Sequence, residues 1–210
     1  METTARRWRD RTGGMAGVAF VALYLASWIA AQTEFESNAQ HAEVIVRDLA
    51  NRVDDIETSI ALAGLAVVAG FWFVGSLHLR LTARGSSAAA WAAFGGGVAM
   101  VTLVLAGSAI TSAVIVGSLA SDPQVAKTLW LLQEGFSDVI GPALIVFILG
   151  VSIVSIDRGD PPRWLGWSGV AATGILLVNT VSESRVSLAL LVFLWVLALA
   201  VTMTVRPQPR

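Results

Sequence analysis

Long apolar runs separated by short charged stretches dominate the chain. Six runs, over residues 14–32, 59–79, 88–118, 129–156, 164–182 and 186–205, carry few polar positions. A hydrocarbon core of about 30 Å needs about 20 apolar residues per helix, so each run predicts a membrane span. Between the first two runs the pattern changes. Ile45, Leu49, Val53, Ile56 and Ile60 recur at helical spacing opposite Glu43, Arg47, Asn51 and Asp54, and Ser37 with Gln40 forms a capping box ahead of them. This predicts an amphipathic outer helix over about residues 37–57, running up to or into the second span. It is either a lid or docking face, or a helix resting on the membrane interface.

The predicted fold class is therefore all-α: a polytopic membrane protein, a six-transmembrane-helix bundle with one amphipathic outer helix, as a single integral membrane domain over residues 1–210. Helix starts are marked by Asp122-Pro123 and by Asp160-Pro161-Pro162, with aspartate as cap and proline in the first turn. A helix from 122 to 156 would be about 50 Å long at 1.5 Å per residue, so its first turns project beyond the bilayer core. Trp164 and Trp167 beside Arg163 read as an interfacial anchor. Span three is rich in Ala and Gly, which suits close packing in lipid, and Gly13 with Gly17 forms a GxxxG pair that serves either dimerisation or packing within the chain.

Composition narrows the chemistry. The chain is 55% hydrophobic and 14% charged, which leaves little for a soluble domain. With no cysteine there is no disulfide, thiolate metal site or cysteine nucleophile, and the two histidines, His41 and His78, are too few for haem or zinc. Glu34, Glu36 and Glu43 lie near His41 without any ligand spacing, and His78 beside Arg80 reads as interfacial. Gly95-Gly96-Gly97 has no strand before it, so it does not cradle phosphate. No metal, cofactor or nucleic acid is expected, and no catalytic constellation is visible, so the chain is not read as an enzyme.

Charge supplies the threading. With the N-terminus inside, the inner segments carry Arg6, Arg7, Arg9, Arg11, Arg80, Arg84, Arg158, Arg163, Arg206 and Arg210, and the outer ones Arg47, Arg52, Lys127 and Arg185. Ten against four places both termini on the cytoplasmic side of the membrane. The basic start followed by an apolar run resembles a signal peptide, but the run is span-length and its end is a poor cleavage site, so an uncleaved first span is expected.

The chemical lead lies in span four. Glu134 and Asp138 are four residues apart on one helix face, and Pro142 follows four later. A proline there removes its own N–H and disturbs the carbonyl of Asp138, predicting a kink. Carboxylates within a membrane face a bundle interior or water by default, and proline-broken helices coordinate ions in transporters. Asn179 and Glu183 again sit four apart in span five, and Ser108, Thr111, Ser112 and Gln133 fall in the outer halves of their spans. These residues predict an outward-facing polar pocket between spans three, four and five that binds or passes a small solute or cation. The bland alternative puts Glu134 in headgroup water and makes Asp138 a packing hydrogen bond. The alternative function is a non-catalytic interaction or scaffold protein using the outer helix 37–57. Candidate partners are the lipid bilayer, a small solute or cation, and a second copy of the chain.

Three stretches carry a resemblance: Gly70-Phe-Trp-Phe-Val-Gly-Ser-Leu-His-Leu-Arg80, Asp122-Pro123 with Leu129-Trp130-Leu131, and Pro162-Arg-Trp-Leu-Gly-Trp-Ser-Gly169. In these, and in its layout, the chain resembles a group of uncharacterised actinobacterial six-span membrane proteins that share a domain of unknown function. The resemblance implies a six-span helical fold and carries over no activity, ligand or site residue.

Overall fold

The computed structural model describes residues 2–31, 52–116, 123–181 and 189–205. Among them the chain forms α1 Glu2–Ala30, α2 Val53–Thr82, α3 Ala88–Val116, α4 Pro123–Arg158, α5 Arg163–Val181 and α6 Ala189–Val205, with no strand. The apolar runs thus become helices, and α2 and α4 overrun their predicted runs at both ends. Helix α1 begins about three turns before the first apolar run, and α2 begins at Val53, so the last turn of the predicted outer helix is continuous with the second span. Residues 37–51 of that outer helix lie outside the described residues.

Four helical stretches among the described residues are long and apolar enough to cross a membrane: Arg11–Ala30, Val53–Thr82, Ala88–Ala113 and Val139–Arg158. Helix α5, 19 residues long, is not among them. Leu190–Val205 in α6 is apolar but shorter. The structure therefore carries four clear span candidates and two shorter helices. Apolar helices of this kind are compatible with a membrane protein.

Each helix packs against its chain neighbours, and α6 returns to α1, so the helices close into a ring in chain order. Neighbours run antiparallel. Gly13 at the start of α1 lies against Ser76 near the end of α2 and Met203 near the end of α6, whereas Ser27 near the end of α1 meets Ser59 near the start of α2. One end of the ring thus holds the start of α1, the α2–α3 and α4–α5 turns and the end of α6. We call it the terminal end. The opposite end is the distal end.

Small residues set how closely the helices approach. A Cβ on Gly96 would sit 2.6 Å from the backbone nitrogen of Phe147, and one on Gly150 would sit 2.6 Å from that of Ala93. Helices α3 and α4 therefore touch backbone to backbone, as small residues permit in lipid. Gly13 and Gly17 are occupied within the chain, against Ser76, Phe73, Ala200 and Met203. The packing alternative for that GxxxG pair is the one realised, with α1 wedged between α2 and α6.

The ring's interior toward the terminal end is filled by Phe73, Leu77, Phe147, Ile148, Leu165 and Leu199, all buried. Phe147 and Trp195 meet edge-on across the ring, their centroids 6.3 Å apart, and the Trp195 indole N–H donates to the Leu165 carbonyl at 3.1 Å. Helix α4 stops at Gly159, whose φ of +70° supplies the left-handed cap and whose N–H reaches the Ser155 carbonyl at 2.9 Å.

Candidate functional site

Toward the distal end the interior changes character. A cavity of about 220 Å³ lies between the α1–α2 and α3–α4 hairpins. Its lining runs from Tyr24 to Ala31 along α1, from Ile56 to Ala63 along α2, from Leu103 to Thr111 along α3 and from Gln133 to Ile140 along α4. Seven residues of helix rise about 10 Å, so the cavity is about two helical turns deep. The antiparallel helices place Tyr24, Ala63, Leu103 and Ile140 at its inner level and Ala31, Ile56, Thr111 and Gln133 at its outer level.

Each hairpin is joined beside the cavity by a polar pair. Ser27 Oγ donates to the Ser59 carbonyl at 2.9 Å and lies 3.0 Å from Ser59 Oγ, tying α1 to α2. Thr111 Oγ1 lies 3.1 Å from the Gly107 carbonyl one turn back and also reaches Gln133 Oε1, tying α3 to α4. Ser108 Oγ donates to the Val104 carbonyl at 2.9 Å. These bonds satisfy hydroxyls that would otherwise be stranded in an apolar interior. Tyr24, the chain's one tyrosine, packs its ring on Phe20 and Phe193, with centroids 6.1 and 5.3 Å apart, and no described residue hydrogen-bonds its hydroxyl. The described lining is thus apolar wall with hydroxyl and amide groups and the Trp28 indole N–H, and carries no charged side chain.

Of the residues expected at a pocket, Ser108, Thr111 and Gln133 do come together here, with helices three and four supplying the walls as expected. The other two walls differ from the expectation: they come from helices one and two, because α3 packs between α2 and α4 and its inward face meets both hairpins. Ser112, one position beyond Thr111, is half-buried and is not part of the described lining. Glu183 lies outside the described residues, as do the side chains of Glu134, Asp138 and Asn179. Their backbone positions can still be placed by register. At 100° per residue, positions 133, 136 and 140 of α4 share one face, whereas 134 and 138 fall about a third to a half of a turn round the axis. The same strip, followed along α4, reaches Ser152 and Ile156, which pack against Gly166 and Gly169 of α5. Cavity face and carboxylate positions are therefore separate strips of one helix. Pro142 is exposed, and α4 remains helical through it.

Tyr24, Ser27, Trp28 and Ser59 were not visible as site residues in the sequence. A serine or a lone aromatic residue in an apolar helix carries no signal of the face it will occupy. Elsewhere, the His78 ring packs at a tilt against Trp91 and Phe94 with centroids 4.6 Å away in each case, and its Nδ1 is buried without a hydrogen-bond partner among the described residues. Among the described residues no group of three or more His, Cys, Asp or Glu side chains is placed to hold a metal ion. No protein-family model matches the chain, and no curated protein or solved structure matches it either.

Proposed function

We propose that the chain is a six-span integral protein of a bacterial plasma membrane, with both termini in the cytoplasm, that binds a small solute in the distal cavity from the outer side. The observation that carries this reading is the cavity's position and lining. It lies at the end of the ring away from Arg11, Arg80, Arg84, Arg158 and Arg163, all of which gather at the terminal end, and basic ends favour the cytoplasm. A concave apolar site with a few convergent polar groups is the usual form of a small-molecule site. The side-chain oxygens of its described lining are hydroxyl and amide rather than carboxylate, which favours an uncharged solute over a cation. Below it the ring is filled by Phe73, Leu77 and Phe147, which supports binding over an open pore. The six-span count rests on α5 and α6 crossing with the other four, as their places in the closed ring support.

The test uses the absence of cysteine in the wild type. Single cysteines are placed at Ser108, in the cavity, and at Ser86, exposed in the α2–α3 turn, and spheroplasts are treated with a small membrane-impermeant thiol reagent. Labelling of Ser108→Cys without Ser86→Cys is the expected result, with Ser86→Cys reacting after permeabilisation. The reverse pattern overturns the threading, and a Ser108→Cys thiol that reacts only after denaturation overturns the accessible cavity.

A further inference from the structure

We propose that the solute is a neutral amphiphile with a compact apolar body and one hydroxyl-type group, held with that group at the inner end of the cavity against Tyr24; this rests on the solute-binding reading above. The polar groups of the lining are not equivalent. Ser27 and Ser59 are spent on each other, Thr111 is shared between Gly107 and Gln133, and Ser108 is turned to its own helix. Tyr24 alone among these hydroxyls has no described partner, and it occupies the inner level with Ala63, Leu103 and Ile140, where the other walls are apolar. A phenolic hydroxyl donates and accepts one hydrogen bond readily and usually finds a partner when enclosed.

Size and charge set the class. A dry cavity of about 150 Å³ holds benzene, so about 220 Å³ admits an aromatic ring or short chain with a few further atoms. The depth of about two helical turns suits such a body lying along the helix axes. An anion or cation would lose its hydration without any charged partner in the described lining, at a large cost, whereas one hydroxyl loses little if Tyr24 receives it. Leu103, Val104 and Ile140 then contact the apolar body.

Gly107 makes the idea testable. It lines the cavity, and a Cβ built on it meets nothing within 4 Å, so a larger side chain there starts in open space and takes up cavity volume. The full-length protein in nanodiscs is titrated with 4-fluorobenzyl alcohol and with 4-fluorotoluene, which has the same body without the hydroxyl, and saturable binding is read from the 19F signal against empty nanodiscs. The alcohol is expected to bind more tightly than the toluene. Tyr24→Phe is expected to weaken the alcohol about three- to tenfold, the worth of one hydrogen bond, and leave the toluene unchanged. Gly107→Phe is expected to abolish saturable binding of both. Equal binding of the two probes, or an alcohol affinity untouched by Tyr24→Phe while Gly107→Phe still abolishes it, overturns the amphiphile assignment and leaves the cavity as a site. Saturable binding that survives Gly107→Phe, or none in the wild type, overturns the cavity reading itself.

Discussion

Arg80 and Asp160, eighty residues apart in the chain, form a buried ion pair at the terminal end of the ring. Arg80 Nη2 lies 2.6 Å and Nε 3.1 Å from the same carboxylate oxygen, with side-chain exposures of 2% and 11%. Arg80 Nη1 also reaches the Met203 carbonyl at 3.4 Å, so one guanidinium joins α2, the α4–α5 turn and α6. Arg158 adds to this by donating to the Leu81 and Gly85 carbonyls at 2.8 and 2.6 Å, and Arg84 donates to the Arg158 carbonyl at 3.1 Å. The arginines at this end thus fasten one turn to another.

Removing one member of a buried pair leaves the other charge unpaired, which typically costs 3–5 kcal/mol, whereas replacing both by apolar residues of similar volume is far less damaging. Asp160→Asn is therefore expected to lower the unfolding free energy by about 3 kcal/mol, and Arg80→Met with Asp160→Leu to recover much of it. Denaturant titration in mixed micelles checks this. A fully additive double variant would show that the pair is not coupled.

The glycine run on α3 offers an internal control for close packing. A Cβ at Gly96 would collide with the backbone of α4, whereas one at Gly95, on the exposed face, meets nothing within 4 Å. Gly96→Ala is expected to destabilise by about 1–3 kcal/mol through overpacking, and Gly95→Ala by less than about 0.5 kcal/mol. Thermal unfolding of the two variants in one detergent compares them directly.

The polar pair across α3 and α4 should couple weakly. Hydrogen bonds between helices in lipid average about 0.6 kcal/mol and reach about 1.7 kcal/mol. A double-mutant cycle on Thr111→Val and Gln133→Leu is expected to give a coupling energy in that range. A value near zero would separate Thr111 from Gln133 in the folded protein.

The two strips of α4 predict a phase in labelling. Single cysteines at Gln133, Phe136 and Ile140 are expected to be protected from a thiol reagent by 4-fluorobenzyl alcohol, and cysteines at Glu134 and Asp138 to react at the same rate with or without it. Protection at Asp138 would join the carboxylates to the cavity and return the site to the region between α3, α4 and α5.

Much of this protein was legible from local pattern alone. Apolar run length determined that α1 to α4 are long enough to cross a bilayer, and the small residues of α3 determined that something would pack against its backbone. Arginine positions likewise marked the terminal end, because charge and hydropathy are properties of a segment whatever its neighbours. Which residues meet is a property of the ring. Ser27 and Ser59 are 32 positions apart, and neither carries any mark of the other. Glu134 and Gln133 are adjacent in sequence, yet the register of one helix turns Gln133 to the cavity and sets position 134 on another strip. The sequence could show that polar groups sit at the outer level of an apolar bundle. Only the closure of α6 onto α1, and the wedging of α3 between α2 and α4, decided that Tyr24, Ser59, Thr111 and Gln133 would share one cavity.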